Sequence, residues 1–193
     1  GHQVGARLNK AVGNLPAGAL LRYDILSSLL YWDGQGEVAP PAPPAGTRID
    51  LWMCTSVRTL TGSSLPQAGS PIQSVAQNGT VHKHFVTSLW AGGATSNVPG
   101  EPGYLPPADG VYAFRLELSL TDGGATYTSD PFWIVMNNGM SEEVHAAALA
   151  SLVTEAGRTF DKSVTTANLP VFRASSVFFE TLEDAYREGA GAT

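Results

Sequence analysis

The stretch Ile72 to Trp90, IQSVAQ-NG-TVHKHFVTSLW, constrains this chain more than any other. Asn78-Gly79 is the strongest short-range hairpin signal a sequence can carry, because both central positions of a type I′ turn need positive φ. The expectation is a hairpin of two strands paired across that turn. Side chains beyond it alternate between faces. Val81, Lys83, Phe85, Thr87 and Leu89 then share one face, and His82, His84, Val86, Ser88 and Trp90 the other.

The rest of the chain reads the same way. Charged residues make up only 15% of it, while glycine (21) and proline (13) are plentiful, which favours short strands and many turns. Hydrophobic residues are 43%, enough for one good-sized core in 193 residues. Leu20 to Trp32 is expected as a strand region with Leu21, Tyr23 and Ile25 inward, ending at the turn Asp33-Gly34-Gln35-Gly36. Asp33 and Glu37 are too few oxygens for calcium. Val38 to Gly46 is a proline-rich surface connection, and Thr47 to Leu60 alternates with Ile49, Leu51, Met53 and Val57 on one face. Thr61 to Pro71 and Ala91 to Asp109 read as loops. Gly110 to Leu120 is the clearest strand, with Tyr112, Phe114, Leu116, Leu118 and Leu120 facing a core and Arg115, Glu117 and Ser119 facing water. Ala125 to Asp130 and Phe132 to Asn137 follow.

At Asn138-Gly139 the period changes. Ser141 is a natural N-cap, Glu142 and Glu143 suit the helix dipole, and Val144, Ala148, Leu149, Leu152, Val153 and Ala156 form a helical stripe closed by Gly157. A second helix is expected from about Ser176 to Glu188. The predicted architecture is mainly β: an antiparallel, immunoglobulin/fibronectin-like β-sandwich over residues 1–139, with a two-helix C-terminal extension, 140–193, packed on it.

Several functions are disfavoured. With 11 basic against 17 acidic residues and a net charge of −6, the chain has no Lys/Arg cluster for nucleic acid. No apolar run is long enough to span a bilayer as a helix. A single cysteine, Cys54, excludes an internal disulfide and a multi-cysteine zinc site, and reads as a half-buried structural thiol. No G-x-S-x-G, H-E-x-x-H or P-loop occurs, so no familiar enzyme class is indicated. Gly1 to Lys10 has no apolar centre of the signal-peptide kind.

The sets Tyr31 to Glu37 (YWDGQGE), His82 to Phe85 (HKHF), Pro107 to Tyr112 (PADGVY) and Ser129 to Gly139 (SDPFWIVMNNG) resemble, in the same order, those of exported bacterial β-sandwich proteins of the PEP-type C-terminal sorting group. Such proteins occur in cyanobacteria and planctomycetes. The Val-Pro-Glu-Pro sorting tail of that group is not among these residues. The resemblance implies export, to the periplasm, cell surface or medium, and brings no enzymatic activity with it.

The candidate chemistry is a metal site. His82 and His84, two apart on a strand, direct two neutral imidazoles to one side, a donor set suited to zinc or copper. His2 is the candidate third ligand; as a native N-terminus its amine and ring would chelate copper together. His145, near Glu142, reads as a solvated helix residue. The alternative is a carbohydrate-binding or adhesion module without metal, with Trp32, Trp52, Trp90 and Trp133 available for stacking on sugar rings.

Overall fold

The computed structural model describes residues 15–35, 42–53, 56–79, 81, 86–129 and 131–156. They form nine strands and one helix, and every strand pairing is antiparallel. The strands are β1 (Leu20–Ile25), β2 (Leu30–Trp32), β3 (Arg48–Met53), β4 (Ser56–Thr61), β5 (Gln67–Ser74), β6 (Val86–Trp90), β7 (Gly110–Asp122), β8 (Ala125–Thr128) and β9 (Phe132–Asn138), followed by α1 (Glu142–Ala156). The chain is mainly β, as its alternation predicts.

The 13-residue β7 is the axis of a six-stranded sheet. One of its edges carries β2 and then β1, the other β9 and then β8. Leu20 to Trp32 is therefore not one strand but two, interrupted by a bulge. Ile25 pairs with Leu116 and Leu30 with Ala113, so two extra residues are looped out on the β1–β2 side. Ser27 repairs the ladder there: its hydroxyl accepts the Arg115 backbone N–H at 2.9 Å. The other edge has its own bulge between β8 and β9, where the Ser129 hydroxyl accepts the Leu118 N–H at 2.9 Å.

The second sheet has three strands in the order β4-β3-β6. Ile49, Leu51 and Leu60 from this sheet and Leu21, Tyr23, Ile25, Tyr112, Phe114, Leu116 and Leu120 from the larger one belong to one buried core. The inward set predicted on β7 is correct residue for residue. Inside the core, Arg58 Nε donates to the Ser70 hydroxyl at 2.8 Å, joining the two sheets near Tyr23. Burial pushes the Tyr23 hydroxyl above its ordinary value, against the opposing influence of Ser70 and Arg58.

Among the described residues the hairpin expected at Asn78-Gly79 does not form. β5 pairs with β1 in the large sheet, and Val75 continues that pairing by donating to Ala19 at 2.8 Å; β6 pairs with β3 in the small sheet. The Asn-Gly turn is real, but it sits in a connection between sheets. Gly79 has φ of 73°, and its N–H donates to the Ala76 carbonyl at 2.9 Å, so Gln77 and Asn78 are the central residues. The dipeptide specifies a reversal of the backbone, not the partners of the strands on either side.

β5 also begins earlier than predicted, running through Gly69 and Pro71. It is an edge strand with two register shifts against β1, where a proline and a positive-φ glycine are tolerated. Arg22 and Asp24 of β1 hold the bulged Gly69 peptide from both ends: Arg22 Nη1 donates to its carbonyl at 2.8 Å, and its N–H donates to the Asp24 carboxylate.

The outer face of the large sheet is not the wet face predicted. Its first half is covered by α1, whose Ala148 and Leu152 pack with Val111, Ala113 and Val135. The helix begins where expected, with the Ser141 hydroxyl accepting the Val144 N–H. The second helix expected at Ser176 to Glu188, like Gly157, lies outside the described residues.

Candidate functional site

His2, His82 and His84, the proposed metal ligands, lie outside the described residues. Among the described residues no group of three or more His, Cys, Asp or Glu side chains is placed to hold a metal ion. The fourth histidine is described, and it corrects the sequence reading. His145 is not solvated: it is 1% exposed, on the same helix face as Ala148 and Leu152. Burial holds its pKa below the ordinary histidine value, against the pull of Glu142.

The four tryptophans separate into two kinds. Trp32 and Trp133 pack against the small apolar layer beneath α1, and the Trp90 ring lies under the Arg48 guanidinium, 4.2 Å from the ring centroid. Trp52 stands out at 45% exposure. It sits on the outer face of the three-stranded sheet, since its neighbours along β3, Leu51 and Ile49, point into the core.

The rows across that outer face follow from the register. Val57, Trp52 and Val86 stand directly opposite one another, then Thr59, Asp50 and Ser88, then Thr61, Arg48 and Trp90. The first row is an apolar strip, with Val57 39% exposed beside the indole. The other two are polar and tied together. Thr59 Oγ1 donates to Asp50 Oδ1 at 2.7 Å, and Arg48 Nε lies 3.5 Å from Asp50 Oδ2. The carboxylate is buried within these contacts, so it fixes Arg48 over Trp90 and leaves guanidinium and threonine hydroxyl groups as the accessible polar atoms.

Comparison with protein-family models, with curated proteins and with solved structures finds no significant match.

The sequence pattern puts Val57 on one face with Ile49, Leu51 and Met53, and the structure puts it on the opposite face, beside Trp52 and 39% exposed. Met53 pairs with Ser56 across the β3–β4 connection, so even-numbered residues of β3 face odd-numbered residues of β4. Reading Thr47 to Leu60 as one strand keeps the wrong parity after the reversal. The pattern Leu51-Trp52-Met53-Cys54-Thr55-Ser56-Val57 contains no glycine, proline or asparagine to mark the turn.

Asp33 is a turn residue, as expected: its carboxylate accepts the Gln35 N–H at 2.8 Å. The long connection between β6 and β7 is held by its own bonds. Thr95 and Ser96 donate from their backbone to Gly103, and the Ser96 hydroxyl donates to Glu101.

Proposed function

We propose that this chain is an exported binding or structural module of the β-sandwich class, immunoglobulin/fibronectin-like in kind. Its ligand face is the outer surface of the three-stranded sheet. The sandwich assignment is supported by the shared core of the two sheets and by Tyr112, whose hydroxyl donates to the Ala108 carbonyl at 2.8 Å. A tyrosine bonded back to the chain just upstream of a long strand is the corner found in immunoglobulin-type sandwiches.

The observation that carries the functional reading is the exposed Trp52 in its row with Val57 and Val86. A flat indole presented on a sheet face offers stacking to the C–H face of a pyranose ring. Arg48 and Thr61 lie four residues along β3 at the far row, ~13 Å away at the usual strand rise, with hydrogen-bond donors for hydroxyl groups. That spacing suits an extended polysaccharide lying along β3 better than a single sugar. The test is retention on immobilised polysaccharides in affinity electrophoresis. Retardation of the native protein by at least one neutral polysaccharide, lost in Trp52→Ala, is expected; equal mobility of the two proteins on every gel would overturn the assignment.

The histidine pair gives a second proposal, resting on the spacing of His82 and His84. We propose a transition-metal site for zinc or copper at these residues, with His2 as third ligand. Calorimetric titration with Zn(II) and Cu(II) decides it: binding by the native chain should vanish in His82→Ala/His84→Ala and weaken below pH ~6.5, where imidazoles protonate.

A further inference from the structure

The interface between α1 and the large sheet carries an inference independent of the Trp52 face. α1 is the only helix among the described residues, and Ala148 and Leu152 seat it against Val111, Ala113 and Val135, with Leu30, Trp32, Trp133, Met140, Val144 and Leu149 partly buried around them. The layer is apolar throughout. On the helix face that carries Ala148 and Leu152 lies His145, almost entirely removed from water, its Nε2 buried with no hydrogen-bond partner. A neutral imidazole tolerates that position, because one ring nitrogen can remain an unprotonated acceptor. An imidazolium does not. It would carry a second N–H into a layer that offers it no acceptor, and a charge into an apolar environment.

The charges that could offset this are few. On its own helix Glu142 favours the protonated ring, and Glu143 lies one residue further on at the solvent-exposed start of the helix. On β7 the charged residues of the covered face are Arg115, itself cationic, and Glu117. β9 brings only Trp133, Val135 and Asn137 to that face. The Asp33 carboxylate, in the turn against which Met140 and Val144 pack, is engaged with the Gln35 N–H. Nothing in this surrounding set replaces the water that a charged His145 needs.

We propose that α1 is a pH-gated cover: protonation of His145 releases the helix from the sheet and bares the Val111, Ala113, Val135 and Trp133 surface beneath it, while the two-sheet core stays folded. The core residues shared by the two sheets belong to a separate cluster on the other side of β7. The N-terminal end of the helix remains tethered by Asn137, whose side chain bonds both the N–H and the carbonyl of Met140 at 2.9 Å.

The experiment is amide hydrogen exchange with mass-spectrometric readout on the intact chain at pH 7.5 and pH 5.0, corrected for intrinsic exchange rates, on the native protein and on His145→Gln and His145→Leu. The expected result is a loss of protection in residues 142–156 by at least tenfold at pH 5.0 in the native protein. Protection in β1, β7 and β9 should hold, and the helix should keep its protection in at least one of the two neutral variants. Unchanged protection of the native helix at pH 5.0 would overturn the proposal. So would a loss shared by all strands, or an equal loss in both variants, which would assign the effect to other groups.

Discussion

Ser27 and Arg115 are 88 positions apart in the chain, yet the Ser27 hydroxyl accepts the backbone N–H of Arg115 at 2.9 Å. The contact substitutes for a ladder bond where β1 gives way to β2. Ser129 does the same for Leu118 on the opposite edge. β7 thus passes between two bulges, each closed by a serine that supplies the missing acceptor.

Ser129 is buried, so its replacement by alanine should leave the Leu118 N–H without an acceptor in a dry environment. We expect Ser129→Ala to cost about 1–3 kcal/mol, the usual penalty for an orphaned buried donor. Urea denaturation with an unchanged m-value measures it; a cost within about 0.5 kcal/mol would mean that water replaces the hydroxyl.

Phe114 has 0% exposure at the centre of the core and Trp52 has 45%. Phe114→Ala should therefore lower stability by about 3–5 kcal/mol. Trp52→Ala should cost less than about 1 kcal/mol, its effect appearing in ligand retention instead. Thermal denaturation of the two variants side by side checks the contrast, and a large loss in Trp52→Ala would assign the indole to packing.

These two residues also mark what the sequence makes legible. Phe114 was placed correctly because β7 alternates without a break, and α1 because the change from a period of two to 3.6 is clean at Asn138-Gly139. Trp52 could be named as a stacking candidate but not separated from Trp32 and Trp133, because only the third dimension says which indoles a helix covers. His145 was missed although a signal existed: it stands four before Leu149 and seven before Leu152, on the edge of the apolar stripe. The pairing of β5 and β6 with different sheets was not legible at all. Local sequence sets strand identity and turn shape, whereas partner choice depends on distant segments: Gln73 of β5 pairs with Leu21 and Ser88 of β6 with Asp50.

Glu117 stands directly across from Asp24, and its pKa is raised first by burial and then by that neighbouring carboxylate, with Arg115 opposing. A carboxyl group whose folded pKa exceeds its unfolded value favours the folded state when protonated; that contribution is lost as pH rises through the folded value. Glu117→Gln should consequently be more stable than the native protein at pH 7, by a few tenths to about 1 kcal/mol. The gain should vanish below pH ~4, where the native glutamate is protonated too. Denaturation midpoints at pH 7 and pH 3.5 test both the gain and its disappearance.

Gly139 links β9 to α1 with φ of 79°, and a Cβ built there would collide with the Asp109 carboxylate. Gly139→Ala should destabilise by more than about 1 kcal/mol through backbone strain alone. Circular dichroism should show whether the helical signal falls before the strands melt; a variant as stable as the native protein would indicate that the Asp109 loop yields freely.

The position of β7 in the chain has a consequence for how the molecule comes into being. β1 and β2 finish by Trp32, yet the strand they flank begins only at Gly110. During synthesis the first hundred residues must emerge before the large sheet acquires its axis. Contacts so distant in sequence slow folding, toward milliseconds to seconds for β-rich topologies. Until then β1 can pair only with β5, and the strands of the smaller sheet only with one another. A chain cut short before Gly110 would carry every inward-facing residue of β1 and no central strand to receive it.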